Sequence, residues 1–61
     1  MQQLKQGQIY KAVRTGALRR IKMFDEKTVV YDFKMPEDFD YMVNCTTSIN
    51  EFFEFAGELQ V

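Results

Sequence analysis

Eight consecutive residues, Thr28-Val29-Val30-Tyr31-Asp32-Phe33-Lys34-Met35, alternate with a period of two. Val29, Tyr31, Phe33 and Met35 share one parity. Thr28, Asp32 and Lys34, joined by Val30, share the other. This period belongs to a strand with one buried face, and its β-branched and aromatic side chains suit a pleated surface. Tyr31 and Phe33 are therefore expected in the core, and Asp32 toward solvent. The remaining apolar segments are shorter and are expected to pack around this strand.

Before it, residues 4–6 form a polar lead-in that ends at Gly7. Residues 8–14 read as a first strand of mixed parity, with Ile9 and Val13 on one face and Tyr10 and Ala12 on the other. Two covered faces suit a small closed barrel. Thr15-Gly16 marks a turn, since glycine permits the positive φ of tight hairpins. A second strand over residues 17–24 breaks strict alternation around Arg19-Arg20, which predicts a bulge there. Ile21 and Met23 then face inward, and Lys22 and Phe24 outward. Asp25-Glu26-Lys27 turns the chain into the third strand.

Met35-Pro36-Glu37-Asp38 ends that strand, because proline lacks a backbone donor. Residues 39–46 read as a fourth strand with Tyr41, Val43 and Cys45 inward. Ser48 followed by Glu51 has the spacing of a capping box. Ile49, Phe52, Phe53 and Ala56 then recur at helical spacing as one apolar stripe. Phe55 points away from it. Gly57 is the expected C-cap, and residues 58–61 alternate again as a short last strand.

Four strands, a short helix and a final strand at this spacing suggest a small barrel. Gly7-x-x-Tyr10-x-x-Val13, Thr28-Val29-Val30-Tyr31, and Cys45 before Ser48-x-x-Glu51-Phe52 resemble short SH3-like barrel proteins encoded by phages and other mobile elements. The resemblance spans most of the chain and rests on core and turn positions. It implies a mainly β fold: one SH3-like barrel domain of about five antiparallel strands, with a short helix or helical turn before the last. It implies an origin in a mobile element and no particular activity.

The 61 residues allow one domain, which buries roughly 60% of its unfolded surface and needs its six Phe and three Tyr to do so. Cys45 is the lone cysteine. With a polar start unlike a signal peptide, it suits a reducing cytoplasm. No apolar run reaches the roughly 20 residues of a membrane span, so no membrane partner is expected.

Catalytic material is scarce. The chain has no His, hence no ordinary general base near neutral pH. Cys45 has no activating partner and is expected to behave as a small hydrophobe. Asp38 and Asp40 are too few to hold a metal, and no phosphate loop or zinc spacing occurs. No catalytic residue, metal or cofactor is expected, and the chain is read as not an enzyme.

Charge is unevenly placed. Residues 1–34 carry all eight Lys and Arg against three acids, net +5; residues 35–61 carry six acids and no base, net −6. The leading expectation is an interaction module, a phage or mobile-element accessory protein that binds a host or phage protein. A second reading is a nucleic-acid binder using Lys11, Arg14, Arg19, Arg20 and Lys22, with Tyr10 and Phe24 among them to stack bases. Its pI of 5.2 is low for that role. A third is an inhibitor whose acids, Glu37, Asp38, Asp40, Glu51, Glu54 and Glu58, imitate a nucleic-acid backbone. Nine aromatic rings exceed what so small a core hides, so Tyr10, Phe24 and Phe55 are candidate interface residues. A homodimer with Phe24 or Phe55 at its centre is expected.

Overall fold

The structure, a computed structural model, describes residues 4–60. Its elements in chain order are β1 (Ile9–Lys11), β2 (Leu18–Phe24), β3 (Thr28–Lys34), β4 (Met42–Ser48), α1 (Ile49–Ala56) and β5 (Glu58–Leu59). The strands form one antiparallel sheet of order β4-β3-β2-β1-β5. β4 and β5 are its two edges, and α1 packs across its inner face. Among the described residues no helix is long and apolar enough to cross a membrane.

The expected β2–β3 hairpin is present, closed by the turn at Asp25. The Asp25 carboxylate accepts the backbone N–H groups of Lys27 and Thr28, each at 2.8 Å. A short acceptor side chain that folds back on its own backbone in this way fixes a tight turn. The two donated hydrogen bonds also hold the Asp25 carboxyl below its ordinary pKa.

The inner face carries Tyr10 of β1, Ile21 of β2 and Val29 of β3, all buried. Phe52 and Ala56 of α1 and Leu4 of the lead-in complete the core, with Tyr31, Ile49 and Phe53 packed at its edge. The helix begins as its sequence predicts. Ser48 is the N-cap, and its Oγ accepts the Glu51 N–H at 3.2 Å, an interaction of about 0.5–2 kcal/mol. The reciprocal half of the capping box is replaced: the Glu51 carboxylate accepts the Thr47 hydroxyl at 3.1 Å.

Several expectations need correction, and two bulges account for most of them. In β2 the register shifts between Ile21 and Met23, which puts the extra residue at Lys22, two residues beyond Arg20 of the expected Arg19-Arg20 position. Met23 then lies opposite outward Val30 and is exposed, while Phe24 lies opposite buried Val29, at the rim of the inner face. In β4 the register shifts between Tyr31 and Phe33, where Asn44 adopts φ 59°. Asparagine is one of the few non-glycine residues that tolerate this left-handed conformation. The shift leaves Val43 exposed and Cys45 half-buried. Tyr31 and Phe33 are half-buried, and Asp32 is buried. The first strand is shorter than residues 8–14, so Val13 falls in the exposed loop to β2. The fourth starts at Met42 rather than residue 39, which leaves Phe39 in the loop before it.

Candidate functional site

The five basic residues do not form one face. Register places Arg19 on the inner side of β2, opposite Phe33 and Tyr10, and Arg20 on the outer side, opposite Asp32. Lys11 is exposed on β1, opposite Leu18 and Glu58. Arg14 is exposed in the β1–β2 loop.

On the outer side a polar chain crosses three strands. Arg20 Nη2 donates to Asp32 Oδ2 at 3.0 Å, and its guanidinium lies 4.3 Å from the Tyr41 ring centroid. The Asn44 N–H donates to Asp32 Oδ1 at 3.3 Å, and Lys22 Nζ donates to Asn44 Oδ1 at 2.8 Å. The two bulges are thus tied together through residues at their centres, over the top of β3. This explains how Asp32, read from the sequence as outward, tolerates burial: both carboxylate oxygens accept hydrogen bonds, which offset the desolvation.

The Arg20 hydrogen bond holds the Asp32 carboxyl below its ordinary pKa, opposed by desolvation and helped by the Asn44 amide and the Lys22 charge. A carboxyl depressed in the folded state stabilises the fold above its unfolded pKa, about 3.9, and loses that contribution as pH falls through the folded value. Asp32→Ala is expected to cost about 1–3 kcal/mol near neutral pH by leaving its donors unpaired. The gap from wild type in urea melts should narrow below about pH 4. An equal gap in acid and at neutrality would show that no charge effect operates.

Arg19 does different work. It lies against the inner aromatic surface, 5.0 Å from the Phe33 centroid and 5.9 Å from that of Tyr31, and Nη1 donates to the Phe55 carbonyl at 3.3 Å. The last turn of α1 has no basic residue of its own. Arg19 brings a cation to the helix C-terminus, where the macrodipole favours one.

Beside it opens a cleft of about 720 Å³, lined by Ala12, Val13, Arg14, Thr15, Arg19, Glu54, Phe55 and Gly57. That size lies within the roughly 300–1,000 Å³ of ligand-holding clefts. Its walls come from the β1–β2 loop and the end of α1. The loop is held by Ala12 N–H to the Ala17 carbonyl at 2.9 Å and Gly16 N–H to the Ala12 carbonyl at 2.8 Å. Val13 is 73% exposed and Phe55 60% exposed, so the cleft pairs two guanidiniums with bare apolar surface.

The candidate interface aromatics also separate. Tyr10 is no surface residue: it is 1% exposed and packs edge-on against Phe52 and Phe53. Burial pushes its phenol pKa up. Phe24, 43% exposed, sits at the hairpin end of β2, whereas Phe55 lies at the opposite end with the cleft. Sequence reasoning missed Val13 as a surface residue and placed Phe39, which is 99% exposed, at the start of a strand. Their flanks held the signal: Val13 directly precedes the turn residues Thr15-Gly16, and Phe39 sits among Glu37, Asp38 and Asp40 after Pro36. Among the described residues no group of three or more Cys, Asp or Glu side chains is placed to hold a metal. Comparison with known protein families, with curated proteins and with solved structures finds no match to this chain.

Proposed function

We propose that this chain is a non-enzymatic protein-binding module on an SH3-like barrel, an accessory protein of a phage or other mobile element. Its cleft takes an acidic protein segment with an aromatic or aliphatic anchor. The observation that carries this reading is the cleft itself, where Arg14 and Arg19 stand beside exposed Val13 and Phe55. Guanidiniums recognise carboxylates by directed, charge-assisted hydrogen bonds. Exposed apolar side chains grouped at a concavity favour a partner. The order of antiparallel strands with one helix before the last, α1 lying across the inner face, is what supports the barrel reading; among the described residues β4 and β5 do not pair, so the sheet itself is open.

Nucleic-acid binding draws less support, because the five basic residues divide between two faces and Arg20 is already paired with Asp32. The acids of the mimicry reading likewise divide among the β3–β4 loop, α1 and β5.

A peptide-library display selection on the immobilised protein tests the cleft. Enriched peptides should place an aromatic residue beside Asp or Glu, and Arg14→Glu or Phe55→Ser should each weaken their binding about tenfold or more. No enrichment, or binding indifferent to both substitutions, overturns the reading. So does a gel shift with DNA or RNA at low salt that Arg14→Glu abolishes, which assigns the surface to nucleic acid.

A further inference from the structure

Phe39 is 99% exposed, a whole phenyl ring held in water. It is flanked by Asp38 and Asp40, with Glu37 one residue further. The turn that presents it is well fixed. The Asp38 N–H donates to the Met35 carbonyl at 3.0 Å, and the Met35 N–H donates to Asp38 Oδ2 at 3.2 Å. An aromatic knob among acids has the chemistry proposed above for the occupant of the cleft.

We propose that the cleft of one copy of this chain receives the Phe39 loop of a second copy. This rests on the reading of the cleft as a protein-binding surface and names its occupant. The ring of Phe39 packs between Val13 and Phe55, and Asp40 and Glu37 face Arg14 and the outer edge of Arg19. Against the two guanidiniums the cleft lining holds one acid, Glu54, so the charges of knob and cleft are opposite. Complementary potentials of this kind fix register and speed encounter. The preformed turn lowers the ordering cost of binding.

Placement makes the contact reciprocal. In this antiparallel sheet the β1–β2 and β3–β4 loops emerge at the same end, and α1 runs to that end. The two loops touch there: a Cβ on Gly16 would lie 2.8 Å from Pro36 Cγ. Knob and cleft are therefore neighbours on one surface. A single two-fold axis beside them satisfies both contacts at once and closes the assembly as a dimer.

Sedimentation equilibrium of the full chain tests this. Wild type should dimerise with a dissociation constant of about 100 μM or tighter, more weakly as salt rises. Phe39→Ser and Arg14→Glu should each weaken it about tenfold or more, with circular dichroism and melting of the monomer, at concentrations well below that constant, unchanged because both residues are exposed. Mixed together, these two variants should associate more tightly than either does alone, since one intact knob then meets one intact cleft. A wild-type monomer up to millimolar concentration overturns the proposal. A dimer indifferent to Phe39→Ser overturns it too, as does one indifferent to Arg14→Glu. If the monomer still selects acidic aromatic peptides through Arg14, only the second copy is lost as occupant. If selection fails as well, the cleft reading falls with it.

Discussion

Phe52→Ala is expected to leave much of the protein unfolded at room temperature. Phe52 is 1% exposed and is the ring on which the core converges. Its centroid lies 5.3 Å from that of Tyr10, 5.4 Å from Tyr31 and 5.6 Å from Phe53, all at steep interplanar angles. Such edge-on pairs add about 0.5–1.5 kcal/mol each beyond area burial. Replacing a buried Phe by Ala costs about 3–5 kcal/mol. Scaled per residue, a chain of this length has roughly 3–9 kcal/mol of total stability, so the loss takes from about a third of it to all. Phe39→Ala removes a ring of the same size from water and should leave the melt of the dilute, monomeric protein unchanged. Thermal and urea unfolding followed by circular dichroism give the comparison. If the two variants melt alike, Phe52 is not the centre of the core.

The sequence puts that centre elsewhere, at Tyr31 and Phe33, and the reason for the difference is local. Alternation along β3 correctly gives the inward parity, since Val29, Tyr31 and Phe33 do share the inner face. It says nothing about depth. Phe33 lies toward the end of β3 that α1 reaches only with its last turn, and Arg19 covers it instead of another apolar side chain. The helix stripe, the Ser48 cap and the Asp25 turn are all legible because each depends on residues within a few positions of one another. Bulges are not. Whether the extra residue of β2 falls at Arg20 or at Lys22 depends on the partner strand, and moving it from before Ile21 to after it exchanges the faces of Met23 and Phe24. Asn44 was the one available hint in β4, as a residue that accepts positive φ.

Tyr10 shows the same limit from another side. Ile9 and Tyr10 are neighbours that each suit a strand's buried face, and either face of β1 fits the pattern. Only the position of α1 decides that Tyr10 is covered and Ile9 is not fully so. Leu4, a single apolar residue in a polar stretch, carries no period at all, yet it reaches the core. The cleft is the least legible feature. Its residues come from the β1–β2 loop, from β2 and from the end of α1, and only the tertiary fold brings Arg14 and Arg19 beside Phe55. What the sequence does show is that Arg14 and Phe55 each stand next to a turn or helix end, where exposed side chains are ordinary.

Gly57→Ala is expected to be about as damaging as loss of a core ring, although it adds one methyl group. Gly57 ends α1 with φ 87° and ψ −133°, close to a region that only glycine enters without strain. Another residue there costs about 1–3 kcal/mol from the backbone alone. The added Cβ also has nowhere to go. It would collide with the Lys11 carbonyl oxygen and lie 2.6 Å from Ala12 Cα. These are backbone atoms at the end of β1, so no side chain can swing aside. Relief requires the α1–β5 junction to move off β1. That movement breaks the pairing of Tyr10 with Leu59 and Lys11 with Glu58, and the Gln60 N–H bond to the Ile9 carbonyl at 2.7 Å. It also draws the end of α1 away from Arg19. The total should reach about 3–5 kcal/mol, above the usual range for one substitution. Gly7 supplies the control. It too has positive φ, 86°, but a Cβ there meets nothing within 4 Å. Gly7→Ala should therefore carry a conformational cost alone, about 1 kcal/mol. Urea melts of the two variants would separate strain from collision, and amide exchange at Leu59 and Gln60 would report whether β5 detaches. Equal stability losses at Gly7 and Gly57 would mean that α1 does not close onto β1 in solution.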